Sequence, residues 1–443
     1  MLQQVLIVSF LCSFSFSLEL SECLHLLKRT TFNTEYNSLI NCVESQDYDT
    51  YLSSLIIENY KGIDNNHSIY KPKIIRRQKD ENRTGFTKRL RKEKISVKQW
   101  YLQKILNSNF QFKEKMVLFW HNHFTSALNK VQQPLLIYEQ NKLFRKYALG
   151  NYKEFVHQIV ENPAMLRYLD NVNNIKSKPN ENLARELLEL FTLGEGNYKE
   201  KDVKEVAKAL TGYSLDKNLK FKFKKSQHNN QLKTFLGKTG NFDIHDIIDI
   251  IFQNDKVATL IVTKLYREFV GYHVDTKEVD RLSKIFIQNG FDIKVLMYEL
   301  FRSKKFRAKE SYHTLIKSPI EFIVGIVRTL DMEKMNIKII TNYCRILGQD
   351  VFNPPNVKGF KGEFSWINAH SLLNRKRFIN ILMREKAMKY NEENLFKEFT
   401  VISKNAERNA GYLLLSTNIF ITPAKSFDMT LRNILLHPLY QLR

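Results

Sequence analysis

NENLARELLELFTLGEGNYKEKDVKEVAKALTGY, residues 180–213, is the stretch that decides the fold class of this chain. Its first half is rich in leucine, and Gly194 and Gly212 stand where a left-handed residue commonly ends a helix. Its second half places apolar residues at the i, i+3, i+4 and i+7 positions of one helix face, namely Val203, Val206, Ala207 and Leu210. The stretch therefore predicts two consecutive helices.

The composition of the whole chain favours the same fold class. The chain has 443 residues, of which 43% are hydrophobic, so it can bury a large core. It has only 15 glycines and 9 prolines, and this shortage of helix-breaking residues indicates a helix-dominated fold. We predict one large, mainly α-helical domain over residues 18–443. The strictly alternating LKFKFK of residues 219–224 predicts one small β-hairpin near residues 219–236.

The N-terminal residues predict export. Residues 1–17, MLQQVLIVSFLCSFSFS, carry no charged side chain, and their apolar run is shorter than the ~20 residues of a membrane-spanning helix. Ser15-Phe16-Ser17 is a small-x-small pattern before Leu18, which is typical of a signal-peptide cleavage site, although the usual positive charge before the apolar run is missing. The alternative is a buried N-terminal helix. We expect a periplasmic or extracellular protein with no transmembrane span.

Cysteine usage leaves the redox chemistry open. Cys12 would be removed with the signal peptide, and Cys23, Cys42 and Cys344 would remain. An odd number of cysteines argues against a dense disulfide framework. Cys23 and Cys42 either pair across a helical hairpin or stay as buried thiols.

The charge balance favours anionic partners. The chain has 69 basic and 46 acidic residues and a formal net charge of +23, which also serves solubility. Basic residues concentrate in residues 61–94, for which we predict a basic loop, with a solvated helix face as the alternative. Phe86 is the only aromatic residue between positions 76 and 94, so bases would find little to stack on. We expect no specific nucleic-acid binding.

Two histidines stand in the aromatic run FWHNHF, residues 119–124. On a helix, residues i and i+2 point about 200° apart, so His121 and His123 would not chelate one metal ion, whereas on a strand or loop they would. We take both as candidate metal ligands and His123 also as a candidate general base. The competing interpretation is a core histidine that is hydrogen-bonded to a neighbour.

The start of residues 180–213 supplies the other polar candidates. Asn180 suits a helix cap, and Glu181 suits the positive end of the helix dipole. Glu181 and Arg185 are four residues apart, so they can pair on one face. We predict Arg185 as the main anion contact, helped by Asn180 and Asn182. Glu181 and Glu186 are the candidate catalytic carboxylates, because buried charges on this leucine-rich helix would need partners.

His228 and Lys233 follow the predicted strand in HNNQLKTFLG. A loop with these residues beside a carboxylate-rich helix would bind an anion or form an acid–base site. The alternative is a turn that side-chain hydrogen bonds hold together. The sequence contains no P-loop, Rossmann glycine pattern, nucleophile elbow or His-Glu-x-x-His motif, which removes the commonest nucleotide-binding and hydrolase classes.

Eight segments together resemble the bacterial family called domain of unknown function 1800, and they follow the family's order over about residues 20–380. They are LLKRTTF (26–32), FKEKMVLFWHNHF (112–124), NPAMLRYLDN (162–171), NENLARELLELFTLG (180–194), YKEKDVKEVAKALTGY (198–213), KTFLG (233–237), KSPIEFIVGIVRTL (317–330) and LGQDVFNPPNVKGF (347–360). The resemblance implies a mainly helical, commonly exported protein with no established activity. The family's motif positions map to His121, His123, Asn180, Glu181, Asn182, Arg185, Glu186 and Asp202.

This chain departs from the family pattern at three positions. Asn229 follows His228 where the family often has Asp, so a catalytic scheme that needs a carboxylate there is weakened. Lys199 stands where the family usually has Thr or Ser, and Asn33 stands where it favours Gly.

These observations lead to one functional hypothesis and two alternatives. We expect an exported envelope protein whose polar core cluster joins the Trp-His-Asn-His segment to the helix of residues 180–189. The cluster would bind an anionic or glycan-type ligand. The alternatives are a metal-assisted hydrolase with a divalent cation and a non-catalytic structural scaffold. The sequence leaves enzyme status, cofactor and oligomeric state open.

Overall fold

The computed structural model describes residues 18–63, 70–332, 335–384, 392–417 and 424–443. The predicted signal peptide, residues 1–17, lies outside the described residues. The described part is almost entirely helices and the turns between them, so the predicted fold class is confirmed. No described helix is long and apolar enough to cross a membrane.

Nine helices occupy the described residues up to position 168. They are α1 (Leu20–Thr30), α2 (Tyr36–Val43), α3 (Tyr48–Lys61), α4 (Arg83–Asn107), α5 (Gln111–His123), α6 (Leu128–Val131), α7 (Pro134–Tyr147), α8 (Tyr152–Ile159) and α9 (Pro163–Tyr168). The segment that we predicted as a basic loop is a loop only in part. From Arg83 onward it forms the first turns of α4, because the Asn82 side chain caps the helix at the backbone N–H of Gly85.

The middle of the chain contains the two helices predicted from residues 180–213. Helix α10 (Asn182–Glu186) continues into a π-helical turn (Leu187–Thr192), and α11 (Glu200–Ala209) follows. Gly194 has a φ of 84°, as expected for a helix stop. Helix α12 (Ile244–Ile251) ends this part of the chain.

The described residues form two short antiparallel hairpins where we predicted one. Strand β1 (Tyr213–Leu215) pairs with β2 (Phe221–Phe223), which lies in the alternating LKFKFK segment. Strand β3 (Lys233–Phe235) pairs with β4 (Lys238–Gly240). The difference arises because the partner of the alternating strand precedes it in the chain.

The other α-helices of the described chain follow α12, and loops such as residues 347–362 connect them. They are α13 (Lys256–Phe269), α14 (Thr276–Gln288), α15 (Ile293–Arg302), α16 (Lys304–Arg307), α17 (Pro319–Thr329), α18 (Ile337–Ile346), α19 (Ala369–Leu382), α20 (Glu392–Lys397), α21 (Ala406–Leu415) and α22 (Phe427–Leu436). Helix α17 begins with a capping box in which Ser318 and Glu321 bond each other's backbone N–H groups.

Helix α5 lies at the centre of the hydrophobic core. The Trp120 ring is buried, packs against Phe124, Tyr152 and Phe155, and donates its indole N–H to the carbonyl of Ala148 at 3.0 Å. Helix α5 therefore holds the Trp-His-Asn-His segment rigidly against α8.

A disulfide joins the first two helices. Cys23 of α1 and Cys42 of α2 are bonded, with a Cα–Cα distance of 5.8 Å. This settles the alternative that the sequence left open in favour of pairing across the helical hairpin. Cys344 of α18 is a buried free thiol.

Candidate functional site

The two histidines of α5 point into different surroundings, as expected for i and i+2 on a helix. The His121 ring lies among aromatic rings, and its Nε2 accepts a hydrogen bond from the Asn141 amide at 2.7 Å. Arg145 donates to the Asn141 carbonyl oxygen and forms a bidentate ion pair with Glu114. Burial, reinforced by the positive charge of Arg145, lowers the pKa of His121 to about 3. His121 is therefore a neutral, half-buried histidine that is hydrogen-bonded to a neighbour.

His123 connects the core to a lysine that sequence analysis did not single out. Its Nδ1 lies 3.1 Å from Nζ of Lys264 on α13, and its Nε2 lies 2.9 Å from the hydroxyl of Tyr152. Tyr152 in turn donates to the carbonyl of Phe191. Because an ammonium group only donates, Nδ1 accepts and Nε2 carries the proton. Burial, followed by the charge of Lys264, lowers the pKa of His123 well below its usual value, so the ring is neutral.

The π-helical turn supplies the carbonyl groups that end this chain of hydrogen bonds. The backbone N–H of Leu193 bonds the carbonyl of Leu188, five residues back, so the last turn is wide. The carbonyls of Leu190 and Phe191 lie at the C-terminal end of the helix, where no later N–H reaches them. Leu190 accepts from Lys264 at 2.8 Å. The negative end of the helix dipole also favours a cation at this position.

The direction of the hydrogen bonds that lead from Lys264 to the Phe191 carbonyl limits what this network can do chemically. Lys264 donates to His123, His123 donates to Tyr152, and Tyr152 donates to the Phe191 carbonyl. A backbone carbonyl does not take up a proton under ordinary conditions, so the chain holds Lys264 in place and does not conduct protons. Both ring nitrogens of His123 are occupied, which weakens its candidacy as a general base or metal ligand.

Lys264 opens onto a cleft of about 290 Å³, which we call the Lys264 cleft. Its walls come from α5, α13, the start of α17 and the loop of residues 358–366, and they include Asn122, His123, Lys264, Arg267, Lys361 and Arg443. Burial lowers the pKa of Lys264 to about 8. Among the described residues, its ammonium makes two hydrogen bonds and no ion pair, so one N–H has no protein partner there.

Asn122 fastens one wall of the cleft. Its side-chain oxygen accepts from the backbone N–H of Phe360 at 2.7 Å, and its amide donates to the Phe360 carbonyl at 3.2 Å. Gly359 has a φ of 82°, and a Cβ there would lie 2.4 Å from the Asn122 side-chain oxygen. The close approach requires glycine, and it brings FWHNHF into contact with NPPNVKGF although the two segments are far apart in the chain.

A buried ion cluster forms the floor of the cleft. Glu321 pairs with Lys115 at 3.0 Å and with Arg443 at 2.8 Å, and Arg443 also pairs with Glu268 at 2.6 Å. Burial alone would raise the pKa of Glu321, but Arg443 and Lys115 outweigh it and hold that pKa at about 2. Glu321 therefore stays ionised.

Positive charge is in excess around this cluster. Arg29 and Arg375 are buried nearby, and neither forms an ion pair among the described residues, whereas burial lowers the pKa of the neighbouring Lys317 well below its usual value. Arg29 donates to the Thr314 hydroxyl at 3.0 Å, and its Nε and Nη1 have no hydrogen-bond partner in the described part of the chain. Burial, followed by the neighbouring Arg443, lowers the pKa of Arg29 to about 9. Uncompensated buried cations favour an anion at this end of the molecule.

The structure places Arg185 away from the Lys264 cleft. Arg185 pairs with Glu181 at 3.1 Å and with Glu200 of α11 at 2.5 Å, and its side chain is 36% exposed. Among the described contacts, no hydrogen bond or ion pair joins Arg185 or Glu181 to His123. The Asn180 side chain accepts from the backbone N–H of Asn182 at 3.0 Å, so both asparagines serve the start of α10.

One part of the predicted carboxylate helix does reach the cleft. Glu189, at the π-helical turn, lies 3.5 Å from Lys358 of the cleft loop and accepts from the hydroxyl of Tyr198 at 3.1 Å. Burial and the neighbouring Glu189 raise the pKa of Glu186. The Trp-His-Asn-His segment is therefore connected to this helix, as expected, but through the backbone carbonyls of the π-helical turn. The Glu186 side chain takes no part in this connection.

His228 and Lys233 hold a turn together. His228 Nδ1 donates to the carbonyl of Thr211 at 2.8 Å. The buried Lys233 ammonium donates to the carbonyls of Asn229 and Gln231 at 2.8 and 3.1 Å, and burial lowers its pKa. This is the arrangement that the sequence left open as the alternative to an anion or acid–base site.

The described residues contain no group of three or more His, Cys, Asp or Glu side chains that could hold a metal ion.

The fold and the site together define a mainly helical protein with a cationic cleft on the face of a central aromatic helix. The family model described as "Protein of unknown function (DUF1800)" matches residues 25–441, and the chain belongs to this family. No curated protein and no solved structure matches the chain.

Proposed function

We propose that this protein binds a small anionic ligand in the Lys264 cleft. The observation that carries the proposal is the Lys264 ammonium. His123 and the Leu190 carbonyl hold it at the cleft wall, and one N–H is left without a partner among the described residues. Charge-assisted hydrogen bonds of this kind are among the stronger contacts that a protein makes to a carboxylate, sulfate or phosphate group.

The other charges of the cleft support an anion over a cation. Arg267 is paired with Glu363 at 2.8 Å, and Arg443 is paired with Glu321 and Glu268. Lys264 and Lys361 form no ion pair in the described part of the chain. The acidic side chains are thus already neutralised, and the free charges are positive.

The size of the cleft narrows the ligand class. A volume of about 290 Å³ lies at the lower end of the ~300–1,000 Å³ that is usual for small-molecule sites. A single acidic sugar or a comparable organic anion fits this volume, and a polymer does not. We therefore narrow the glycan-type ligand of our hypothesis to a single sugar of the size of a uronate.

The hydrolase and scaffold alternatives are less well supported. A metal-assisted hydrolase needs a set of metal ligands that the described residues do not supply. A pure scaffold explains the hydrogen-bonded His123, but it gives no reason for placing a lysine with a free N–H at a cleft.

Export remains part of the proposal. The predicted signal peptide motivates it, and the Cys23–Cys42 disulfide supports it, because disulfides persist in oxidising compartments and are rare in the cytosol.

The test is calorimetric titration of the folded protein with glucuronate, sulfate and phosphate. We expect Lys264→Met to weaken the preferred anion by about tenfold or more, because one charge-assisted hydrogen bond is lost. The matched control is Lys256→Met, which removes an exposed lysine from the same helix. Equal affinity for wild type and Lys264→Met would reject the proposal, and so would no binding of any of the three anions by the wild type.

A further inference from the structure

A second and larger concavity lies on the molecule, apart from the Lys264 cleft. It runs between α4 and α18, has a volume of about 1320 Å³ and is lined by side chains of both helices. We call it the basic groove. Six of its basic side chains have no carboxylate partner in the part of the chain that the structure describes, namely Lys88, Arg91, Lys92, Lys94, Lys338 and Arg345.

The two helices each turn one face toward the basic groove. On α4, Lys88, Lys92 and Gln99 follow helical spacing, and on α18 Lys338 and Arg345 are two turns apart. At 1.5 Å per residue, the stretch from Lys88 to Lys98 spans about 15 Å. The cations thus form two rows along an extended surface.

The acidic side chains of the basic groove are already in use. Glu81 pairs with Arg89 at 2.6 Å, and Asp350 pairs with Lys98 at 2.5 Å. No other acidic side chain lines the groove among the described residues. This separation of charge distinguishes the groove from an ordinary solvated helix face, where both signs alternate.

The lining chemistry of the basic groove selects among polyanions. No aromatic side chain lines the groove in the described part of the chain, so the bases of a single strand find no stacking platform. The floor includes Ile95, which is 41% exposed, and the methylene stems of the lysines.

We infer that the basic groove binds a single-chain acidic polysaccharide, with its carboxylate or sulfate groups between the cation rows of α4 and α18. The pyranose rings would lie on Ile95 and the lysine stems. The groove is a site separate from the Lys264 cleft, so this inference goes beyond the proposed function and does not depend on it.

The experiment measures binding of fluorescently labelled polygalacturonate and dextran sulfate fragments to the full chain at about 0.15 M salt, where exposed charges are screened beyond ~8 Å. The groove variant is Lys88→Glu/Lys92→Glu. The control is Lys277→Glu/Lys284→Glu on α14, which reverses the same number of exposed lysines, again ones with no ion pair to any described residue. We expect about tenfold or greater weakening in the groove variant and less than about twofold in the control. A single-stranded oligonucleotide of similar length serves as the competitor of another class.

Three results would overturn the inference. The first is equal weakening in both double variants, because net charge would then be the only cause. The second is the absence of polysaccharide binding by the wild type at this salt concentration. The third is tighter binding of the oligonucleotide than of either polysaccharide.

Discussion

Arg443 and Arg185 each pair with two carboxylates, but in opposite surroundings. Arg443 bridges Glu321 and Glu268 at the floor of the Lys264 cleft, with its side chain 6% exposed, whereas the Arg185 side chain is 36% exposed. An exposed ion pair contributes ~0–1 kcal/mol, while breaking a buried one costs ~3–5 kcal/mol. The same residue types are therefore a surface feature in one region and a determinant of the site in the other.

The largest expected effect comes from removing the shared carboxylate of the buried cluster. Glu321→Gln keeps the size of the side chain but leaves Lys115 and Arg443 without that negative charge. We expect the free energy of unfolding to fall by about 3 kcal/mol or more, as measured by chemical denaturation. Arg185→Ala is the matched surface change, and we expect it to cost less than about 1 kcal/mol. Similar losses of unfolding free energy in the two variants would contradict the stated difference between the buried and the exposed ion pairs.

A smaller difference in stability is expected between substitutions at two glycines, one packed against the cleft wall and one with open space around it. Gly359 and Gly196 both have φ near 80°, but a Cβ at Gly359 would meet Asn122, and one at Gly196 would meet nothing within 4 Å. Gly196→Ala should cost about 1 kcal/mol from backbone strain alone, and Gly359→Ala about 2–3 kcal/mol because a steric clash is added. Thermal denaturation of both variants measures the difference. Equal shifts in Tm would show that Asn122 does not hold the cleft wall.

Sequence reasoning reached the fold more easily than the site. Helical periodicity and the glycine stops predict α10 and α11, and alternation predicts β2, because these signals are local. The S-x-x-E pattern of Ser318 and Glu321 marks the start of α17, but it does not reveal that Lys115 and Arg443 meet the same carboxylate. Those partners lie far apart in sequence, so only tertiary packing brings them together.

Lys264 shows why the sequence did not reveal the remaining part of the candidate site. On an amphipathic helix such as α13, a lysine normally faces solvent, and nothing in its neighbours indicates otherwise. Its surroundings are created by His123 and by the π-helical turn of residues 187–192, and a widened last turn has no clear sequence signature. In contrast, Arg185 attracted attention because its partner Glu181 is four residues away, which is the spacing of an ordinary surface pair.

The smallest expected effect is a pH dependence of anion affinity, which distinguishes binding at Lys264 from binding at an exposed arginine. Burial depresses the pKa of Lys264 from its ordinary 10.5 to about 8, so the ammonium loses its proton as pH rises through 8. Affinity for glucuronate, whose charge is constant over this range, should be present below pH 8 and about tenfold weaker at pH 9 than at pH 7. Calorimetric titration at both pH values measures the loss. Lys264→Arg, whose guanidinium stays charged, should remove the dependence. If the wild type keeps its affinity at pH 9, the anion contact does not depend on the Lys264 ammonium, and the exposed Arg185 again becomes the better candidate.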